Sequence, residues 1–132
     1  GAVRLLLNDG AGGLVLQPPV PVGAAVDLAV TSLLGSGALP DLLVLGSNGS
    51  VQGIEEPAGR LGLLDLGTVG TSATAFVVGD VDDRNGPDAV VVDAAAGTVR
   101  LALNDGENLL EPRRPVAVGA QPTALVLTDF DR

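Results

Sequence analysis

Cysteine, histidine, lysine, methionine, tryptophan and tyrosine are absent from these 132 residues, and phenylalanine occurs only as Phe76 and Phe130. Each gap removes a class of chemistry. Without cysteine there are no disulfides, no thiolate nucleophile and no thiolate-bound zinc. Without histidine the usual general base and the commonest transition-metal ligand are missing as well. A chain without thiols tolerates either redox environment, so the compartment stays open. Sugar and single-stranded nucleic-acid sites commonly stack rings on exposed aromatic side chains, and two phenylalanines offer almost none. Cations are scarce too: seven arginines face sixteen acids, for a formal net charge of −9. Such a surface repels a polyanion, and nucleic acid is not an expected partner. No apolar run reaches the roughly eighteen residues that a spanning helix needs, which argues against membrane insertion. No charged leader precedes an apolar stretch either.

What is present is apolar and repetitive. Hydrophobic residues make up 46% of the chain and charged ones 17%, a balance typical of folded proteins, with a core that must be built from Val, Leu and Ala. The stretch VRLLLNDG at Val3–Gly10 returns as VRLALNDG at Val99–Gly106, 96 positions later and identical at seven of eight places. Half that offset is 48, and Val51-Gln52-Gly53-Ile54 stands where an intermediate copy should begin. Val22-Gly23, Val69-Gly70 and Val118-Gly119 recur at similar intervals, as do Pro40-Asp41 and Pro87-Asp88. A period of this size signals an array of supersecondary units.

Within a unit the apolar residues fall in short runs bounded by Gly, Pro, Asn and Asp, which is the punctuation of strands. The best-formed unit predicts strands over Thr74–Gly79, Ala89–Val92, Thr98–Asn104 and Pro115–Val118. Asn104-Asp105-Gly106 and Asn8-Asp9-Gly10 tolerate positive φ and predict tight hairpins. No segment combines a helical period with a cap and a stop, so helix is expected to be negligible. Four antiparallel strands in about 48 residues suit one blade of a β-propeller. The expected fold is therefore all-β, a partial propeller of about 2.75 blades. Residues 1–22 would end one blade, 23–69 and 70–118 would form two more, and 119–132 would begin another, for eleven strands in all. Propellers close with four to eight blades, so the expectation is a piece of a longer chain whose remaining blades are its partners, with closure by assembly of several copies as the alternative.

One polar constellation stands out, Asp80-Val81-Asp82-Asp83-Arg84-Asn85-Gly86-Pro87-Asp88. Carboxylates at alternate loop positions, a glycine that permits a sharp turn and a closing acid suit a hard cation that wants six to eight oxygens. Arg84 stands where a further acid would be expected. Asp, Asn, Gly and Pro are also what tight loops use for purely structural ends.

The run DVDDRNGPDAVVV, the approach VAVGAQPTALVLTDFD and the repeat together resemble the FG-GAP or VCBS family, whose repeats build integrin-alpha-like propellers in surface and secreted proteins. The resemblance extends over essentially the whole chain. It implies calcium held by Asp80, Asp82, the backbone carbonyl of Gly86 and Asp88. It also implies an extracellular or cell-surface location and a protein or glycan ligand at the cell exterior. In the corresponding loop of the preceding unit, Leu33–Asp41, only Asp41 keeps its acid, so no metal is expected there. Asp129 and Asp131 match the first two acids of a further copy.

Other polar groups read as structural. Glu55-Glu56 are adjacent and tend to point apart, which defeats paired acid–base work. Arg113-Arg114 suit a charged strand edge, and Asp27, Asp65 and Asp93 suit turns or strand ends. Gly10-Ala11-Gly12-Gly13 lacks the lysine and the following helix of a phosphate loop. The functional expectation is a non-enzymatic scaffold and interaction module. Its alternative is a carbohydrate-binding propeller or an accessory domain of a carbohydrate-active enzyme.

Overall fold

The computed structural model describes residues 1–33, 40–55 and 62–129. All regular structure among them is β-strand, paired antiparallel throughout, with no helix. At the N-terminus β1 (Ala2–Val3) pairs with β4 (Val20–Pro21), and β2 (Leu6–Asn8) pairs with β3 (Leu14–Leu16). These two ladders continue each other along one ribbon. A four-stranded sheet follows, ordered β5 (Ala25–Thr31), β6 (Asp41–Gly46), β7 (Ser50–Glu55) and β8 (Gly62–Thr68). The last sheet runs β9 (Ala73–Gly79), β10 (Asp88–Asp93), β11 (Thr98–Asn104) and β12 (Leu110–Pro112), with β13 (Val116–Ala117) also paired to β11.

The sequence repeat is a repeat of register. Ala102 faces Pro112 and Val99 faces Val116 in the last sheet; 96 residues earlier Leu6 faces Leu16 and Val3 faces Val20. Between the two larger sheets even an irregularity is conserved. The β5–β6 ladder slips between Ala25 and Asp27, and the β9–β10 ladder slips at the equivalent place, with Asp93 opposite Ala73 and Val92 opposite Ala75. A one-residue slip would otherwise turn every later side chain to the wrong face. Two units that share a bulge therefore share an inward pattern.

That pattern stacks the sheets. Leu43, Leu45, Val51 and Leu66 of the second sheet pack with Phe76, Ala89, Val91, Ala102 and Leu110 of the third in one buried cluster. The opposite face of the second sheet sends Val44 and Ile54 against Val3, Val20 and Val22 of the ribbon. Both faces of β6 are thus covered, as its unbroken apolar run LLVL requires. The linkers between units are stitched by backbone bonds, with Ser47 donating to the Ala24 carbonyl at 2.8 Å and Ala73 donating to the Ser47 carbonyl at 3.1 Å.

Three details depart from the expected eleven-strand layout, and the described residues hold thirteen strands. The fourth strand of the last unit, anticipated over Pro115–Val118, is two segments, β12 and β13, separated by Arg113-Arg114-Pro115. Proline cannot donate to a ladder, and the Arg113 amide spans the join by bonding the Leu101 carbonyl at 2.7 Å. Likewise the Asn-Asp-Gly turns are not two-residue hairpins. Asn104 pairs with Leu110 and Asn8 with Leu14, leaving five-residue loops. Asp105 Oδ1 accepts from the Glu107 and Leu109 amides, and Asp9 Oδ1 from those of Ala11 and Gly13. The side chain supplies the bonds that a shorter turn would have taken from the backbone. Residues 119–129, expected to open a further blade with a strand, form no ladder because no second strand lies beside them, although Leu127 lies against Gly79 at the end of β9. Among the described residues no sheet closes on itself.

Candidate metal-binding loop

The loop from Gly79 to Asp88 joins the first and second strands of the last sheet. Three of its residues have positive φ: Asp83 (56°), Asn85 (56°) and Gly86 (85°). Asn and Asp tolerate that region better than other side-chain-bearing residues because their short polar groups bond locally. The compact coil that results brings Asp80, Asp82 and Asp88 together, each with a carboxylate oxygen within 4.8 Å of the others. An ion bound at 2.3–2.6 Å places opposite ligands roughly 5 Å apart, so one cation fits among the three. Asp80 and Asp82 are exposed; Asp88 is fully buried.

Asp88 is a structural post before it is anything else. Its Oδ2 accepts from the Val81 amide at 2.8 Å, and its Oδ1 accepts from the Asn104 amide at 2.9 Å. One carboxylate thereby ties the start of the loop to the third strand. Each oxygen retains a second lone-pair direction, which is what a cation would use. Asp82 accepts from the Arg84 amide at 3.1 Å. This Asx turn leaves the Arg84 side chain exposed. Gly86, proposed to offer its carbonyl, sits at the third positive φ, immediately after Asn85.

A residue whose sequence context predicts only a hairpin turn braces the loop. Asn104 donates through Nδ2 to the Asn85 carbonyl at 2.7 Å, while Asn85 Nδ2 donates to the Asn104 carbonyl at 3.2 Å. The Asn104 Oδ1 accepts from Gly106 at 3.0 Å. Buried polar groups need such partners, and among the described residues no buried side-chain polar atom lacks one. The signal available beforehand was Asn8, the same residue in the repeated motif. Asn8 keeps only the turn bond, to Gly10 at 2.8 Å.

Of the three acids expected at turns or strand ends, Asp93 does end β10, whereas Asp27 and Asp65 lie inside β5 and β8. Asp65 accepts from Gly67 at 3.0 Å. Asp93 accepts from Ala96 through Oδ1 and from Thr71 and Ser72 through Oδ2. Burial pushes its pKa up, but those amides and the Thr71 hydroxyl outweigh burial and hold it below the ordinary value. Arg113 and Glu111 lie 3.6 Å apart with both side chains about half exposed, a weak edge pair. A separate concavity of about 570 Å³ is lined by polar side chains of the second unit, among them Ser47, Asn48, Ser50, Gln52, Asp65 and Thr68. In the loop of the second unit, Leu33 and Asp41 are buried, and residues 34–39 lie outside the described residues, as do Glu56, Phe130 and Asp131. No helix among the described residues is long and apolar enough to cross a membrane. No protein-family model matches the chain, and no curated protein or solved structure matches it either.

Proposed function

We propose that this chain is a segment of a non-enzymatic β-propeller of FG-GAP or VCBS type. Its stacked four-stranded units act as a scaffold, and its loops meet a protein or glycan ligand at the cell exterior. The remaining blades belong to the same parent chain. The Asp80–Asp88 loop is the calcium site, with Asp80, Asp82, Asp88 and the Gly86 carbonyl as ligands. The observation that carries this reading is the shared bulge and register of successive sheets, since units built alike and stacked face to face are what a ring of blades is made from. The outward location and the choice of calcium rest on the family resemblance. The clustered carboxylates supply suitable oxygens.

Thermal unfolding tests the ion. A ligand that binds only the folded state raises stability by mass action, about 2.7 kcal/mol at one hundred times Kd. Added calcium should therefore raise Tm, and Asp82→Ala should abolish the rise. A Tm indifferent to millimolar calcium would leave the loop a turn and nothing more.

The carbohydrate-binding alternative is favoured by one observation, the polar concavity around Gln52, Asp65 and Thr68. Its hydroxyl, amide and carboxylate groups suit a polyol, although among the described residues no aromatic side chain lines it. Reproducible glycan-array binding that is lost in Gln52→Ala would select that reading.

A further inference from the structure

The N-terminal ribbon exposes a face that the rest of the chain buries. Leu6 is 58% exposed and Leu14 66%. Their counterparts 96 residues later, Ala102 and Leu110, are 0% and 1% exposed. Ala102 and Leu110 are covered because β10 pairs with β11 and because both belong to the buried cluster that also holds Leu43, Leu45 and Leu66 of the preceding sheet. The ribbon has the same register but no such neighbour: β1 pairs only with β4, and β2 only with β3.

The open edge is equally specific. On β11 the Asn104 amide points towards β10 and donates to Asp88 Oδ1, while the Leu101 carbonyl points the other way and accepts from Arg113. Alternate residues of a strand face alternate sides, so the Arg100 and Ala102 amides also point to β10. In the ribbon the Leu5 carbonyl accepts from Gln17 at 2.9 Å, the counterpart of the Leu101 bond. The amides of Arg4, Leu6 and Asn8 therefore line the unpaired edge.

We infer that this edge and face dock one kind of occupant: the first two strands of a repeat like this chain's own. Their second strand opens with an aspartate that accepts the Asn8 amide, and it pairs with the ribbon as Asp88–Asp93 pairs with β11. This deepens the repeat-unit part of the proposed function and is independent of its ion. A generic apolar partner would cover Leu6 and Leu14 without ordering the edge, and exposed edges of this kind are templates for strand addition.

The test uses the full chain and a synthetic peptide with the sequence of residues 70–93. Amide exchange should slow at least about tenfold at Arg4, Leu6 and Asn8 but stay unchanged at Leu5 and Leu7, which already face β3 and β4. A peptide carrying Asp88→Ala should lose the protection at Asn8. Because a free peptide can fail to form its hairpin, a second measurement fuses a further copy of residues 49–96 ahead of Gly1 and reads the same amides. Absence of alternating protection in the fusion overturns the inference. So does uniform protection of residues 4–8, or protection that grows with protein concentration when no peptide is present, which would give the face to a second copy. These outcomes are separate from the calcium response: Tm can rise with calcium while the edge stays open, and the reverse.

Discussion

The amide of Val69 donates to the carbonyl of Gly49 at 2.8 Å. The same bond joins Val118 to Gly97 at 3.0 Å and Val22 to Gly1 at 3.1 Å. The three glycines are spaced by 48 residues each time. In every unit the tip between second and third strands is pinned to the chain leaving the fourth, and the Val-Gly anchors seen in the sequence are one half of that pin. Closeness explains the glycine. A Cβ on Gly49 would run into the backbone of Gly70, and one on Gly97 into that of Gly119.

Gly49→Ala should thus cost far more than Gly10→Ala. Both positions have positive φ, near 80°, but nothing lies within 4 Å of a Cβ at Gly10. The backbone penalty alone is about 1–2 kcal/mol, and the collision at Gly49 should bring that variant to about 3 kcal/mol or more. Urea denaturation of the two variants side by side reads the difference, and equal losses would contradict the pin.

Asp88 and Asp82 should separate structure from ion binding. In calcium-free buffer Asp88→Ala leaves the Val81 and Asn104 amides without their acceptor, at a cost of about 2–4 kcal/mol. Asp82→Ala gives up one exposed turn bond and should stay within about 0.5 kcal/mol of the parent. Chemical denaturation with a chelator present measures both; a large loss at Asp82 would make it a structural residue as well.

Asp93 predicts the acid limb of stability. Its folded pKa lies below the ordinary 3.8, so the unfolded chain binds the proton more readily. The contribution is whole at neutral pH, starts to fade as the pH falls through the ordinary carboxylate value and is lost below the lowered folded one. Asp93→Asn should cost about 1–3 kcal/mol at pH 7 and flatten the dependence of stability on pH in the acid range. An unchanged acid limb would show that other carboxylates govern it.

How much of this was legible beforehand depends on range. The 96-residue offset carried the register because strands with the same alternation pair the same way, and Thr98–Asn104 was bounded as expected. The fourth strand was not: Pro115 interrupts it, but Leu110–Pro112 reveals itself as strand only through pairing with β11. Asp80, Asp82 and Asp88 could be nominated because loop residues at alternate positions are local. Asn104 could not be connected to Asn85, since the two are 19 residues apart and meet only once β10 and β11 are paired. The turn chemistry of Asn-Asp-Gly hid a second use of its first residue.

Asp27 stands beside the bulge shared by the two larger sheets. Its Oδ1 takes the Leu28 amide at 2.9 Å and its Oδ2 takes the Phe76 amide at 3.0 Å. Leu28 and Phe76 are 48 residues apart, so a single carboxylate clasps the same amide in two neighbouring units. The next unit has Ala75 at the matching site and cannot hand the clasp onward. Modules whose backbones are interchangeable are thereby given an address: recombination that swapped their order would keep every ladder and still break this one link.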